Sequence, residues 1–132
     1  MTESLQGRKV LVVEDEFLVA SLIQDMLETA GCIVAGPIPR VADALVAADR
    51  DTYDAAILDI NVAGDRIDPV AAALSRRNVP FVFVTGYSTG ALPKEYASRP
   101  RLCKPFRIAE LLGTLSKLVN RERNKQEAAQ TC

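Results

Sequence analysis

The chain has 132 residues, of which 48% are hydrophobic and 25% charged, and these values suit one globular domain with a buried core. With 16 basic and 17 acidic residues the net charge is −1, which gives no indication of a nucleic acid or an anionic membrane as partner. The chain contains no histidine, which excludes a histidine-based triad, a histidine metal ligand and a histidine phosphocarrier.

No apolar run approaches the roughly 20 residues that a membrane-spanning helix needs, and the polar N-terminus does not resemble a secretory signal. The three cysteines are widely spaced and form no CxxC pair. We therefore expect a cytoplasmic protein with reduced thiols rather than a disulfide framework or a zinc site.

Apolar runs alternate with helical patterns along the chain. The valine-rich run over 10–13 predicts a strand covered on both faces, and apolar residues spaced by three and four predict a helix over 17–30. The same patterns predict a strand over 32–35, a helix over 41–48, a strand over 55–60, a short helix over 70–74, a strand over 81–84, a weak helix over 91–97, a strand at 102–103 and a helix over 108–119.

Strands that alternate with helices imply crossover connections and a parallel sheet with helices on both faces. We predict a flavodoxin-like, doubly wound (βα)5 fold with five parallel strands in the order 2-1-3-4-5. The domain is expected over residues 1–120, and the polar residues 121–132 are expected to be a helix end or a disordered tail.

Ligands of such sheets bind beyond the carboxyl ends of the strands, so the residues that end each strand are the candidate site. They are Glu14, Asp15 and Glu16 after the first strand, Asp59 at the end of the third, Thr85 after the fourth and Lys104 after the fifth. Acids in the first turn of a helix interact favourably with its dipole, and we interpret Glu16 as only the start of the first helix.

Carboxylates that meet at one edge repel each other, and a hard cation such as Mg²⁺ relieves this while leaving positions open for phosphate oxygens. Phosphoryl transfer needs countercharge and positioning, which the Lys104 ammonium and the Thr85 hydroxyl can supply. Asp59 interrupts the apolar strand AAILDI, where an aspartate is disfavoured. It is therefore our candidate nucleophile, and the acids after the first strand are candidate metal ligands.

These residues, in this order on these strands, resemble the receiver domain of response regulators from Lys9 to about Asn120. The resemblance implies that Asp59 accepts a phosphoryl group from a sensor histidine kinase or a histidine phosphotransfer protein. It also implies that Glu14, Asp15, Asp59 and the backbone carbonyl of Asn61 hold Mg²⁺, while Thr85 and Lys104 bind the phosphoryl oxygens. In this family the donor docks on the start of the first helix and on the loop that follows the lysine.

The segment Phe83-Val84-Thr85-Gly86-Tyr87 also resembles, more loosely, the FATGUY subgroup of single-domain regulators. Many receivers carry an aromatic residue three positions before the lysine, where this chain has Arg101. Tyr87, two residues after Thr85, is a candidate substitute for that aromatic residue. The loop after Asp59 also lacks the Met-Pro-Gly pattern that is common in the family.

The residues after Asn120 are too few and too polar for an output domain, so we expect a stand-alone regulator that is not an enzyme. It would relay or drain phosphate, or bind a downstream protein in one state. One alternative is a small Mg²⁺-dependent phosphatase, but such enzymes need an aspartate two residues after the nucleophile, where this chain has Asn61. A second alternative is a non-phosphorylated pseudo-receiver that acts as a scaffold.

Overall fold

The computed structural model describes residues 5–86, 94–96 and 98–120. One sheet contains the five strands β1 to β5, which are Lys9–Val13, Ile33–Ile38, Ala55–Asp59, Phe81–Thr85 and Arg101–Cys103. The α-helices of the described residues, α1 to α4, are Phe17–Thr29, Val41–Arg50, Asp68–Arg76 and Ile108–Val119.

All neighbouring strands of the sheet are parallel and follow the order β2-β1-β3-β4-β5. Strand β1 lies between β2 and β3, because the chain crosses from the edge strand β2 past β1 to form β3. This crossing creates the switch point of the winding. The predicted flavodoxin-like fold and its strand order are thereby confirmed.

Each face of the sheet carries its own apolar core, because side chains alternate between the faces along a strand. In β1, Val10 and Val12 pack with the buried residues of α1 and α4, whereas Leu11 and Val13 pack with those of α2 and α3. The four apolar residues of β1 after Lys9 are fully buried, which explains why this strand reads as a continuous apolar run.

The structure differs from the sequence prediction mainly between the third and fifth strands. Residues predicted as a polar loop form a short antiparallel hairpin from Asn61–Val62 and Asp65–Arg66. The third helix is longer than predicted, with Pro69 in its first turn. Of the weak helix predicted over 91–97, the structure describes residues 94–96, which form a 3₁₀ helix instead of an α-helix. The predicted tail over 121–132 lies outside the described residues.

The cysteines only partly follow the expectation of reduced thiols. Cys32 is a buried free thiol, whereas Cys103 is disulfide-bonded, so the expectation is wrong for Cys103. Spacing along the sequence does not reveal which thiols a fold brings within bonding distance. Separately, none of the helices in the described part of the chain is long and apolar enough to cross a membrane.

A bulge at Gly36 adjusts the pairing of β2 with β1 close to the candidate site. The register moves from Leu11 opposite Ala35 to Val13 opposite Ile38, so β2 carries one extra residue. Gly36 has a φ of +106°, and a Cβ atom there would lie 2.7 Å from the backbone oxygen of Val12. Only glycine fits this position without strain.

Helix α1 offers a matched pair of leucines that tests the assignment of the core. Leu27 is fully buried and Leu22 is 51% exposed, and replacement by alanine changes helix propensity equally at the two positions. We expect Leu27→Ala to lower the free energy of unfolding by about 2–5 kcal/mol, because it leaves a cavity, and Leu22→Ala by less than about 1 kcal/mol. Urea denaturation measures both, and equal losses would contradict the orientation of α1.

Candidate functional site

Three carboxylates meet at the carboxyl edge of the sheet, where β1 and β3 end side by side. Val13 pairs with Leu58, so the residues that follow β1 lie beside Asp59, the last residue of β3. One carboxylate oxygen each from Glu14, Asp15 and Asp59 lies within 4.8 Å of the others. Glu14 and Asp59 are buried and Asp15 is exposed, so the cluster opens to solvent on one side.

Lys104, which follows β5, points its ammonium into this cluster. The Nζ atom lies 3.2 Å from Oε1 of Glu14 and 3.5 Å from Oδ2 of Asp59, and the lysine side chain is 18% exposed. The sequence analysis predicted this meeting, because strands β3, β4 and β5 are neighbours in the sheet. The closest carboxylate, however, is that of Glu16, at 2.7 Å from Nζ.

Thr85 lies beside the lysine at the end of β4. The backbone N–H of Lys104 donates to the carbonyl oxygen of Thr85 over 2.8 Å, which fixes the two strand ends relative to each other. Thr85 is buried, and its hydroxyl donates to the carbonyl oxygen of Gly86 over 3.0 Å.

The hairpin after Asp59 closes the site from the other side. Ala63, in the turn of this hairpin, donates its backbone N–H to Oδ2 of Asp15 over 3.0 Å. The turn begins two residues after Asn61. Asn61 is exposed, and its backbone carbonyl remains a predicted metal ligand. The hairpin therefore ties the loop that carries Asn61 to an acid of the cluster.

The pKa values of the two buried carboxyls of the cluster reflect their removal from water more than the charges around them. Burial, with a further contribution from Asp59, raises the pKa of Glu14 from 4.5 to about 7, although Lys104 opposes the shift. Burial also raises the pKa of Asp59, again against the opposing effect of Lys104. Burial lowers the pKa of Lys104, but its three acidic neighbours outweigh burial and raise it.

A divalent cation fits this arrangement. Oε1 of Glu14 is buried, and among the described residues no donor makes a hydrogen bond to it, since Lys104 lies at ion-pair distance without hydrogen-bond geometry. An acceptor oxygen in this position is costly unless a cation or a proton satisfies it. The donors are all carboxylate oxygens, which hard ions such as Mg²⁺ prefer. Glu14, Asp15 and Asp59 are the residues that can hold such an ion.

Sequence reasoning missed the contacts of two side chains, of which the first lies at this edge. Glu16 is the N-cap residue of α1, as expected, but its side chain makes no capping hydrogen bond and pairs with Lys104 instead. Tyr96, in the 3₁₀ helix, is buried with its ring 5.9 Å from those of Phe81 and Phe83. Nothing in the sequence signals either contact. Arg101, at the position where many receivers have an aromatic residue, is half-buried at the start of β5.

The family model of the response regulator receiver domain matches residues 10–116 of the chain. Together with the fold and the strand-end cluster described above, this match shows that the chain belongs to the response regulator receiver family. The FATGUY subgroup stays a prediction, and Tyr87 of its signature lies outside the described residues.

Two solved structures resemble the chain over most of its length. The chain is 38% identical to SdrG from Sphingomonas melonis Fr1, with a TM-score of 0.77 and coverage of 88% of this chain and 98% of SdrG. It is 25% identical to the receiver domain of the sensor histidine kinase PA1611 from Pseudomonas aeruginosa PAO1, with a TM-score of 0.72 and coverage of 86% and 98%. That structure contains a magnesium ion coordinated in the active-site cleft.

Among curated proteins, the chain is 29% identical over 120 residues to the transcriptional regulatory protein PdtaR of Mycobacterium tuberculosis. The match covers 88% of this chain but 58% of PdtaR, so the chain spans little more than half the length of that relative.

The raised pKa of Glu14 predicts a pH-dependent loss of stability in the metal-free protein. Between pH 4.5 and about 7 the folded protein binds a proton at Glu14 that the unfolded chain releases, so this residue lowers stability as the pH rises. We expect Glu14→Gln to raise the free energy of unfolding by about 1–2 kcal/mol at pH 8 and to change it little at pH 4.5.

Urea denaturation with a chelator at the two pH values measures this effect. Glu28→Gln, which changes an exposed glutamate of α1, is the matched control and should leave the pH dependence as in the wild type. A Glu14→Gln variant that is less stable than the wild type at pH 8 would contradict the interpretation.

Proposed function

We propose that this protein is a phosphorylation-controlled signalling module in which Asp59 accepts a phosphoryl group from a phosphohistidine donor. The observation that carries the proposal is the position of Asp59, whose carboxylate lies beside two further acids and 3.5 Å from the Lys104 ammonium. A buried acid placed between a cation site and a lysine has the nucleophile and the countercharge that phosphoryl transfer requires.

In the proposed reaction an oxygen of Asp59 attacks the phosphorus atom of the donor. The new O–P bond forms while the P–N bond to the donor histidine breaks, and the electron pair remains on the histidine nitrogen. Lys104 compensates the charge that develops on the phosphoryl oxygens, and Thr85 turns its hydroxyl from Gly86 towards one of them. Mg²⁺, when bound by Glu14, Asp15, Asp59 and the predicted carbonyl of Asn61, supplies further positive charge for the same oxygens.

The phosphorylated protein would act as a switch rather than as an enzyme that turns over a substrate. Asn61 stands two residues after Asp59, where a phosphatase of the rival class needs an acid that can donate and accept a proton. The intact set of acids with Lys104 favours a phosphoacceptor over a pseudo-receiver scaffold. Aspartyl phosphate would add negative charge within the buried cluster and bias the loops around Thr85 between two arrangements.

The surface beside the site suits a protein donor. Phe17 and Leu18 are both 79% exposed at the start of α1, and Leu22 follows them on the next turn. A groove of about 420 Å³ between α1 and the loop after β5 is lined by Leu22, Lys104 and Phe106, among others. Exposed apolar residues of this size at the rim of a reactive site are typical of a protein–protein interface.

We propose that a sensor histidine kinase or a histidine phosphotransfer protein docks on this apolar surface, and that a downstream protein reads the phosphorylated state. The stand-alone form and the cytoplasmic location stay predictions from the sequence, as does the lack of a nucleic-acid or membrane partner.

Phosphorylation is tested with acetyl phosphate and Mg²⁺ followed by measurement of the intact mass. We expect the wild type to gain one phosphoryl group that decays slowly, and Asp59→Asn to gain none, because no other residue in the described part of the chain has this combination of neighbours. Asp65→Asn, which changes an exposed acid of the nearby hairpin, should be labelled like the wild type. Rapid release of phosphate with many turnovers would favour the phosphatase, and an unlabelled wild type would favour the scaffold.

Donor docking is tested with a phosphorylated histidine phosphotransfer domain that labels the wild type. We expect Leu18→Ser to slow this transfer at least about fivefold, because an exposed apolar contact is lost, while labelling by acetyl phosphate stays unchanged. Val46→Ser is the matched control, since Val46 is 53% exposed on α2 and lies away from the proposed surface. Equal transfer to Leu18→Ser and the wild type would refute docking on α1.

A further inference from the structure

The Lys104 ammonium is shared unequally among its acidic neighbours. Its closest contact is a 2.7 Å hydrogen bond to Oε1 of Glu16, compared with 3.2 Å to Glu14 and 3.5 Å to Asp59. Charge-assisted hydrogen bonds of about 2.7–2.9 Å are the strong ones, whereas 3.5 Å is beyond good hydrogen-bond geometry. The strongest hydrogen bond of Lys104 is therefore to Glu16, which does not belong to the cluster of Glu14, Asp15 and Asp59.

The position of Glu16 is fixed from both sides. Its backbone N–H donates to Oε2 of Glu14 over 3.1 Å, and its φ and ψ of −79° and 113° are those of the residue that precedes α1. Its carboxylate makes no capping hydrogen bond to the helix and accepts a hydrogen bond from Lys104 instead. The side chain is 60% exposed, so it lies at the rim of the site while Asp59 lies inside.

We propose that Glu16 is a positioning residue that competes with the phosphoryl group for Lys104, an inference that rests on Asp59 being the phosphoacceptor. A phosphoryl group on Asp59 places oxygen atoms and added negative charge on the inner side of the lysine. The ammonium then moves its strongest hydrogen bond from Glu16 at the rim to a phosphoryl oxygen. Glu16 thereby weakens the phosphorylated state by the free energy of the contact that has to be given up.

Beryllofluoride, a phosphoryl analogue, tests this competition without turnover, and SdrG has been solved in a BeF3-activated conformation. We expect Glu16→Gln to bind beryllofluoride in the presence of Mg²⁺ about two- to fivefold more tightly than the wild type, the range expected for losing one partly exposed ion pair. Glu16→Ala should show the same gain, which guards against an effect of the glutamine itself.

Two controls separate competition for the lysine from a general effect of charge. Asp65→Asn also removes one exposed negative charge near the site, and it should change the affinity for beryllofluoride by much less than Glu16→Gln. NMR signals of the Lys104 side chain provide a direct readout. They should differ between the wild type and Glu16→Gln in the free proteins and converge once both are loaded.

Equal affinities of the wild type and Glu16→Gln would overturn the inference, as would an equal gain in Asp65→Asn or Lys104 signals that stay different after loading. These failures are distinct from a failure of the proposed function. If the wild type neither binds beryllofluoride nor is labelled by acetyl phosphate, the role of Asp59 is wrong. If the wild type does both, only the role of Glu16 is in question.

Discussion

The meeting of buried carboxylates with one lysine at the carboxyl edge of the sheet is the constraint on which the site depends. Glu14 and Asp59 are almost completely removed from water, and Lys104 is the one cation of the described residues that lies within ion-pair distance of both. Burial raises the pKa values of both carboxyls, and the attraction of the single ammonium does not cancel this effect. The free protein therefore carries an electrostatic cost that a cation at the cluster relieves.

The strand order determines which side chains meet at the site. Because β1 and β3 are neighbours, their acids lie together, and because β4 and β5 are neighbours, Thr85 and Lys104 lie together. A phosphoryl group on Asp59 would lie between these two pairs of strand ends. Helix α1 starts directly after the acids of β1, so Glu16 and the exposed apolar residues of the helix border the same edge. Chemistry and partner recognition are therefore adjacent in the proposed function.

The sequence was sufficient for the parts of the site that regular structure determines. Asp59 is recognisable because it interrupts an apolar strand, and its meeting with Lys104 follows from the order of parallel strands. The pairing of Glu16 with Lys104 was not predictable, because the residues are 88 positions apart and the contact depends on two loop conformations. The hairpin after Asp59 and the burial of Tyr96 were missed for a similar reason. Two-residue strands and a single 3₁₀ turn carry no hydrophobic period.

A crystal structure of the protein with Mg²⁺ and beryllofluoride is the most direct measurement of the central claim. We expect the beryllium to be bonded to a carboxylate oxygen of Asp59, with the fluorides contacted by Lys104 and Thr85 and the metal ion held by Glu14, Asp15 and Asp59. Density for the analogue on another residue, or a complex in which Lys104 points away from it, would contradict the proposal that this cluster exists to hold a phosphoryl group.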